Sequence, residues 1–508
     1  MKENTISRLK SIYAKPQSVL IMAAILFLPL FILGTHSSHD WGDDFAQYIH
    51  QAENLIHGIP QSETGFIYSQ LNYIGPQAYP AGFPLLLAPV YAIFGNNITA
   101  FIALISLIYI LLGLLIVIFY RHHFSWVSAL VLSVLFLYNP QMIIFKREVM
   151  SDIPFTALLV LNFILYQRLK TGNIQQWIVL AILTGCMLTI RPAGFVFVAA
   201  IVMDRLILFY KRKLTLKDFA LFTGIIILIP IALYFIINSF LFKIPSGGSI
   251  RDYLLFFNSG NFGMIIPQNL SHHIEVFMYL YVPEAGIFKG FSLLLGSVMI
   301  ATTMFGFLKR MLQGPGVIEW FFVLYVLMLL LFPNNFSAFR LMVPLGFIFL
   351  YYAATGVKTI QLLAEIPPWK KAVGIGIIVV LLFSQGIVKI AQSNDHMLEG
   401  PQQESALEVF NFIRKNVPAE AVIVFAKPRA LALYAGCRSF ADPFTTDPTL
   451  IHTQVMEAKA TFLLINNKLT TEPMQRYARV MQSRLSKQFE NKEFVLYRII
   501  PVNPSVHR

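Results

Sequence analysis

Most of the chain consists of long apolar runs that are separated by short polar segments. The runs lie at about 18–34, 98–120, 125–142, 153–169, 174–190, 193–210, 217–241, 287–308, 317–332, 341–356 and 372–390. Runs of about 17 to 25 residues have the length of a helix that crosses a bilayer. They are continuous and do not alternate with period two, which argues against a membrane β-barrel. The pattern predicts a polytopic α-helical membrane protein with about 11 transmembrane helices.

One further apolar segment, GFPLLLAPVYAIFG at 82–95, is too short to be a span. As a helix it would extend only about 20 Å, and Pro84 and Pro89 interrupt it. We therefore expect a juxtamembrane or re-entrant segment at the outer face. The basic residues between later spans then face the cytoplasm, as the positive-inside rule requires. These residues are Arg121, Arg168, Lys170, Lys211, Arg212, Lys213, Lys309, Arg310, Lys370 and Lys371.

The composition changes sharply after about residue 391. Strands are predicted at AVIVFA, TFLLIN and EFVLYRII, and helices at ESALEVFNFIRKN, at 429–435 and at TEPMQRYARVMQSRLSK. Alternating strands and helices over roughly 100 residues predict a small α/β domain outside the membrane. The chain therefore divides into a transmembrane module at 1–391, with an outer first loop at 36–82, and an extracytoplasmic domain at 392–508.

The composition excludes several classes of function. Hydrophobic residues make up 56% of the chain and charged residues 13%, which is far from the composition of a soluble domain. The net charge of +13 would suit nucleic acid, but most Lys and Arg residues cluster between spans, so nucleic acid is not an expected partner. Cys186 and Cys437 form neither a disulfide framework nor a metal-spaced pair. Glycine-rich nucleotide-binding loops are absent, so a soluble nucleotide-sugar site has no support.

Three aspartates follow the first apolar run: Asp40, Asp43 and Asp44. No Lys or Arg lies near them in sequence, since none occurs between Lys15 and Arg121. The spacing from Asp44 to Tyr48 is helical and places a carboxylate at the start of a helix near the outer mouth of the bundle. Asp is also a favoured N-cap residue, and this alternative stays open for Asp43 and Asp44.

Other charged residues are predicted near the outer ends of the spans. Glu148 and Asp152 are separated by one helical turn in KREVMSDIP, where they line a cavity or, alternatively, are simply solvated. Arg191 in TIRPAGF and Arg340 in NNFSAFRLMVP are candidates to bind a phosphate through their planar forks. The alternative for both arginines is snorkelling toward lipid headgroups.

Histidines occur in the first loop as well, and His36 and His39 have helical spacing. No third ligand is evident beside them. The sequence therefore neither indicates nor excludes a divalent metal, and it assigns no cofactor.

At several points the sequence resembles the GT-C glycosyltransferases, which include the protein O-mannosyltransferases and the bacterial aminoarabinose transferases. The helix that starts DFAQY at Asp44 and ends at Gly58 resembles their first-loop signature, and YPAGFPLLLAPVYAIFG at 79–95 resembles the proline-rich stretch that follows. The later landmarks are SDIPF at 151–155, RPAGF at 191–195 and AFRLMVP at 338–344. The similarity runs in order over most of residues 18–350.

The resemblance implies a membrane transferase that uses a polyprenyl-phosphate sugar at the outer face. It assigns the catalytic role to Asp44, a second acidic position to Asp152 with Glu148 close by, and the donor phosphate to basic residues that Arg191 and Arg340 match. In many relatives an acidic residue follows the aspartate, whereas here Asp43 precedes it. Asp43 therefore stays an alternative to Asp44.

Elementary chemistry agrees with these roles, because glycosyl transfer needs a carboxylate base and cations that stabilise the leaving phosphate. Single displacement would invert the anomeric configuration. Expected partners are the lipid-linked donor, membrane lipids, and a lipid, glycan or protein acceptor. The expected location is a bacterial cytoplasmic membrane with the site and the C-terminal domain in the periplasm. An envelope oligosaccharide polymerase or ligase, and a lipid-sugar flippase or transporter, remain alternative functions.

Overall fold

A computed structural model describes residues 16–500 except 70, 73, 170–172, 245–261, 282–288, 333–337, 360–382, 384, 385, 389 and 393–396. Most of the span predicted at 372–390 lies outside the described residues, as do Lys170, Lys370 and Lys371. The described residues fall into two compact units. The first unit takes its residues from Met1–Thr35, Ile102–Ile237 and Phe256–Asp395, and the second from His36–Phe101, Asn238–Leu255 and His396–Arg508.

The described α-helices are named here in chain order. They are α1 (Pro16–Phe27), α2 (Asp44–His57), α3 (Gly82–Phe94), α4 (Ile98–Arg121), α5 (Trp126–Leu137), α6 (Pro140–Lys146), α7 (Asp152–Arg168), α8 (Ile174–Ile190), α9 (Phe195–Tyr210), α10 (Leu216–Phe235), α11 (Phe262–Tyr281), α12 (Lys289–Gln313), α13 (Val317–Leu330), α14 (Ala338–Thr359), α15 (Glu404–Asn416), α16 (Pro428–Ala435), α17 (Pro448–Glu457) and α18 (Glu472–Val480). The strands are β1 (Phe66–Ile67), β2 (Val422–Phe425), β3 (Arg438–Ala441), β4 (Ala460–Asn466), β5 (Leu485–Glu490) and β6 (Phe494–Ile499).

Five helical segments within the described chain are long and apolar enough to cross a membrane, so the protein is a multi-pass membrane protein. They are Ile98–Arg121, Pro192–Tyr210, Leu216–Leu241, Leu294–Gln313 and Phe339–Thr359, and the bent pair α5 and α6 would make a sixth span. Shorter apolar helices cover Gln17–Phe31, Gly82–Phe94, Ile174–Ile190 and Val317–Leu330. The count of about 11 spans therefore stays a prediction.

The run predicted as one span at 125–142 forms two helices, α5 and α6, that together are long and apolar enough for a broken span. The chain bends by 63° between α5 and α6. Pro140 cannot continue α5, because it lacks an N–H, and Asn139 starts a new helix by accepting a hydrogen bond from the N–H of Gln141 at 2.9 Å. The bend therefore follows from the Asn139–Pro140 pair.

Helices α12 and α14 of the first unit cross at two glycines. A side chain on Gly306 would lie 1.9 Å from the Tyr352 carbonyl oxygen, and one on Gly356 would lie 2.1 Å from the Thr302 carbonyl oxygen. Only a residue without Cβ lets the two backbones approach this closely, as small residues do between helices in membranes.

The second unit is built on a six-stranded sheet in the order β1-β3-β2-β4-β6-β5. The pairs from β1 to β4 are parallel, whereas β6 runs antiparallel to β4 and β5. Successive side chains of each strand point to opposite faces of this sheet. Val422 and Val424 pack in the apolar core with α17 and α18, and Phe425 packs on Trp41, with 6.0 Å between the ring centroids.

The helix predicted over TEPMQRYARVMQSRLSK is too long. The helix α18 ends at Val480, and Leu485 to Lys487 belong to β5. A hairpin accounts for the difference, because the N–H of Asn491 donates to the Phe494 carbonyl at 2.9 Å and sets β5 against β6.

The first loop is part of the same sheet. Its strand β1 pairs in parallel with β3, with Phe66 opposite Ser439 and Ile67 opposite Phe440. The N–H of Ser439 also donates to the Gly65 carbonyl at 3.0 Å. The second unit therefore joins the first loop to the C-terminal segment.

Candidate functional site

In the first unit, the carboxylate of Asp152 lies between two arginine side chains. Arg191 Nη1 donates a short hydrogen bond to Asp152 Oδ1, and Arg340 Nε lies 3.4 Å from Asp152 Oδ2. The Asp152 side chain is fully buried, whereas 17% of the Arg191 side chain and 20% of the Arg340 side chain are exposed. The cluster carries one positive charge in excess, and parts of both guanidinium-bearing side chains reach the surface.

Each member of this cluster stands at a helix end. Asp152 is the first residue of α7, where the helix dipole favours a carboxylate. Arg191 follows the last residue of α8 in extended backbone, since Pro192 begins a new helical turn after it. Arg340 lies in the first turn of α14. The structure thus brings together three residues that the sequence selected separately.

The arrangement is suited to an anion of tetrahedral shape. Arginine presents planar N–H donors that match phosphate, and a carboxylate bonded to both arginines fixes their side chains. Asp152 would therefore act on an anion only through the two arginines that it holds.

Glu148 does not lie one helical turn from Asp152, so this prediction is wrong. Helix α6 ends at Lys146 and α7 begins at Asp152, with Glu148 in the turn between them. A helix cannot continue from Glu148 to Pro154, because the proline ring would clash with the carbonyl of Met150. The N–H of Met150 instead donates to the Glu148 carbonyl at 2.9 Å.

In the second unit, Asp44 is the first residue of α2, as the sequence predicted. Its Oδ1 accepts a 2.6 Å hydrogen bond from the Tyr79 hydroxyl and a 2.8 Å hydrogen bond from Arg429 Nη1. The Arg429 side chain is fully buried, while 18% of the Asp44 side chain is exposed. Asp44 is thus a firmly held carboxylate that solvent can still reach.

Asp43 directly precedes α2 but forms no capping hydrogen bond with that helix. Its Oδ1 accepts instead from the backbone N–H groups of Arg429 and Ala430, each at 3.1 Å. These two residues belong to the first turn of α16, so Asp43 caps a helix that is remote in sequence.

Burial raises the pKa of the Asp43 carboxyl to about 6, although the charge of Arg429 and the hydrogen bond from Ala430 act in the opposite direction. For Arg429, burial would lower the pKa, but the charges of Tyr79, Asp44 and Asp43 outweigh it and the pKa is raised. Arg429 therefore stays charged inside the second unit.

Metal ligands do not converge within either unit taken alone, as far as the described residues go. In the second unit His39 Nδ1 lies 3.1 Å from Asp40 Oδ1, which supplies two ligand atoms. His36 is buried. The helical spacing of His36 and His39 has no counterpart in the structure, because both residues precede α2.

Sequence reasoning missed two members of the Asp44 cluster. Tyr79 could have been found, since it begins the proline-rich stretch of the first-loop landmark. Arg429 gives no such signal, because it is 385 residues from Asp44 and stands in an ordinary helix start after Pro428.

Residues 79–236 match the family model described as dolichyl-phosphate-mannose-protein mannosyltransferase. No curated protein matches the chain in sequence. ArnT from Cupriavidus metallidurans, bound to undecaprenyl phosphate, has a similar structure with a TM-score of 0.55 and 10% sequence identity, over 95% of this chain and 98% of that chain.

Two further solved structures share the fold. The archaeal oligosaccharyltransferase AglB from Archaeoglobus fulgidus, in complex with an inhibitory peptide and a dolichol-phosphate, matches with a TM-score of 0.54 and 13% identity, over 96% of this chain and 75% of that chain. The arabinofuranosyltransferase AftD from Mycobacteria matches with a TM-score of 0.52 and 13% identity, over 95% of this chain and 41% of that chain.

Proposed function

The chain has the fold of the GT-C membrane glycosyltransferases, as the sequence predicted, and from this premise we propose that it transfers a sugar from a polyprenyl-phosphate donor to an acceptor. The site would face the outer side of a bacterial cytoplasmic membrane, with the C-terminal segment in the periplasm. One observation carries the proposal beyond the fold: the fully buried Asp152 holds Arg191 and Arg340 together. A lipid-linked phosphate is the ligand that such a cationic pair in a membrane module would bind.

The reaction assigns one task to each cluster. Asp44 accepts the proton of the acceptor hydroxyl while that oxygen attacks the anomeric carbon. The bond from the anomeric carbon to the phosphate oxygen breaks, and the polyprenyl phosphate leaves with the bonding electrons. Arg191 and Arg340 stabilise its charge, and Asp152 positions both arginines. Attack opposite to the leaving group inverts the anomeric configuration. Glu148 remains a candidate for a second acidic role.

The relatives support the class of donor. ArnT is bound to undecaprenyl phosphate and AglB to a dolichol-phosphate. This chain covers 98% of the ArnT chain, so the same kind of lipid phosphate is the donor carrier that we propose here. AglB favours a second candidate, the transfer of a whole lipid-linked oligosaccharide, because it is an oligosaccharyltransferase.

Mass spectrometry of envelope lipids and glycans from a deletion strain tests the proposal. The strain is complemented with the wild type, with Asp44→Asn, or with Asp40→Asn as a control carboxylate from the same loop. We expect the wild type and the control to restore a sugar that Asp44→Asn does not restore. A single added sugar favours the first candidate, and an added oligosaccharide favours the second. Full restoration by Asp44→Asn would refute the role of Asp44, and a deletion that changes no envelope lipid or glycan would refute the transferase. Translocation of the lipid-linked sugar with no transfer to an acceptor would favour a flippase or transporter.

Donor binding is tested on purified protein with undecaprenyl phosphate, followed by native mass spectrometry. Arg191→Gln and Arg340→Gln should each lower its occupancy about tenfold, since each removes charge-assisted hydrogen bonds to phosphate. Arg310→Gln is the matched control, because Arg310 also pairs with a buried carboxylate, that of Glu319, at 3.1 Å. Equal occupancy in all the variants would refute the phosphate role.

A further inference from the structure

The guanidinium of Arg429 is enclosed by residues of the first loop. Its Nη1 bonds to Asp44 Oδ1 and lies 3.1 Å from the Tyr79 hydroxyl, and its Nη2 donates to the Pro76 carbonyl at 2.7 Å. The rings of Phe66 and Tyr79 lie 4.9 Å and 5.2 Å from the guanidinium carbon. A buried arginine that is bonded on both of its terminal nitrogens has one orientation, and it imposes that orientation on Asp44.

The place of Arg429 in the sheet explains how it reaches the first loop. Helix α16 begins directly after β2, which lies between the parallel strands β3 and β4. In an open α/β sheet, ligands usually bind at the carboxyl end of the strand from which the chain continues first to a neighbour on one side and later to a neighbour on the other side. In this chain the carboxylate of Asp43 lies at that helix N-terminus, on the N–H groups of Arg429 and Ala430.

We propose that Arg429 is a positioning residue for Asp44, and that Asp43 is the anchor that ties the first loop to α16 rather than the carboxylate that reacts. This inference rests on the proposed function and refines it. In this inference the Asp43 carboxylate, rather than an external ligand, occupies the crevice at the carboxyl end of β2. The two neighbouring aspartates then have different roles, because Asp44 reacts and Asp43 anchors the loop.

The chemistry follows from the bonds. A general base must be ionised when the acceptor arrives, and a cation at hydrogen-bond distance favours the ionised form of a carboxylate. Among the described residues, the titratable groups Arg429, Tyr79 and Asp43 face Asp44. Of these, only Arg429 brings a positive charge. Asp43 is poorly placed to take the proton of an acceptor, because its Oδ1 accepts two backbone N–H groups and its Oδ2 is buried.

Carboxyl labelling measures the state of Asp44 without a known substrate. A carbodiimide with glycine ethyl ester modifies protonated carboxyls, and peptide mass spectrometry reads Asp44 from pH 4 to pH 8. We expect Arg429→Gln to speed the labelling of Asp44 about tenfold at neutral pH and to extend it to higher pH. Arg429→Lys should restore most of the wild-type profile. Arg476→Gln is the control, because the Arg476 side chain is 67% exposed and pairs with Glu472.

A separate variant covers the case in which Arg429→Gln does not fold. Tyr79→Phe removes the 2.6 Å bond to Asp44 and keeps the ring, so it should shift the same profile to a smaller extent. The thiol of the buried Cys437 reports folding, since it should stay unreactive in a folded variant. A folded Arg429→Gln or Tyr79→Phe protein with the wild-type Asp44 profile would overturn the inference.

The complemented deletion strain separates this inference from the proposed function. Asp43→Asn keeps an oxygen that accepts both N–H groups, so it should lower transfer less than tenfold, whereas Asp44→Asn should abolish it. Arg429→Gln should lower transfer at least tenfold and add nothing in combination with Asp44→Asn. Loss of transfer in Asp43→Asn, or full transfer in Arg429→Gln, overturns the inference alone. Retained transfer in Asp44→Asn would remove Asp44 from the proposed mechanism, and a deletion that changes no envelope lipid or glycan would refute the transferase itself.

Discussion

Gly75 leaves no room for a side chain beside Arg429: a Cβ on Gly75 would lie 2.6 Å from Arg429 Nη2 and 2.9 Å from the Tyr79 hydroxyl. Its φ of +138° also lies where residues other than glycine are strained. The first loop can therefore close over the guanidinium only at a glycine.

Gly75→Ala should lower the free energy of unfolding of the second unit by about 2 kcal/mol, through the collision and the backbone strain together. Thermal unfolding in detergent, followed by a dye that reacts with the thiol of Cys437, measures the change. Gly95→Ala is the matched control, since Gly95 has a φ of +61° and no atom of the described chain lies within 4 Å of its Cβ position. If both variants lose the same stability, the collision with Arg429 contributes nothing.

Asp442 makes the stability of the second unit depend on pH. Its side chain is buried, Oδ2 accepts from the Thr471 N–H at 3.3 Å, and Oδ1 has no hydrogen-bond partner among the described residues. Burial raises the pKa of Asp442 to about 7. Because the pKa is higher in the folded than in the unfolded protein, the folded protein binds the proton more tightly. The stabilisation that comes from protonated Asp442 is therefore complete below about pH 4 and is lost as the pH rises to about 7.

Asp442→Asn removes the ionisable group and should flatten the stability profile between pH 4 and pH 8. At pH 8 it should raise the free energy of unfolding by up to about 4 kcal/mol, the equivalent of the pKa shift. Denaturant unfolding at each pH measures it. Glu490→Gln, on an exposed side chain of β5, serves as the control and should leave the profile unchanged. Parallel profiles for Asp442→Asn and the wild type would contradict the assignment.

The sequence predicted what depends on local pattern. Apolar runs predict the five described helical segments that are long enough to cross a membrane, and the strands at Val422–Phe425 and Ala460–Asn466 lie where short apolar runs predict them. The helix start at Asp44 follows from spacing alone. These elements can be predicted without the rest of the fold, because their periodicity depends on whether one face or both faces are buried.

The sequence could not predict which distant residues these elements contact. The strand β1 is only two residues long, and its pairing with β3 depends on contacts across more than 370 positions of chain, such as the Asn72 bond to the Phe444 N–H. Arg429 is similar, because nothing near it in sequence marks a carboxylate. Asp152, Arg191 and Arg340 were selected one by one, and only the packing of three helix ends brings them together.

Asp152→Asn should destabilise the first unit, because it leaves the charges of Arg191 and Arg340 close together without their carboxylate. Breaking a buried ion pair on one side costs about 3 kcal/mol. Thermal unfolding in detergent measures the loss, and adding Arg191→Gln to Asp152→Asn should recover part of it. Asp218→Asn is the control, since Asp218 also lies in the first turn of a helix but is only partly buried. A loss no larger than that of the control would show that the cluster is not a coupled unit.

Trp41 tests whether the first loop and the C-terminal segment unfold as one body. Its ring packs on Phe410, Phe425 and Phe494, with centroids 6.0 to 6.4 Å away. Trp41→Ala should cost about 3 kcal/mol or more, and it should speed the reaction of Cys437 with a maleimide about a hundredfold in detergent.

The two free cysteines provide an internal control, because Cys186 belongs to the first unit and Cys437 to the second. Trp177→Ala removes a buried ring of the first unit that stacks on Phe222 at 5.1 Å. It should speed the labelling of Cys186 and leave Cys437 slow, whereas Trp41→Ala should do the reverse. Peptide mass spectrometry reads both sites in one sample. If Trp41→Ala left Cys437 as protected as in the wild type, the first loop would not be a structural part of the sheet unit, and the geometry of Asp43 and Asp44 on α16 would lose its support.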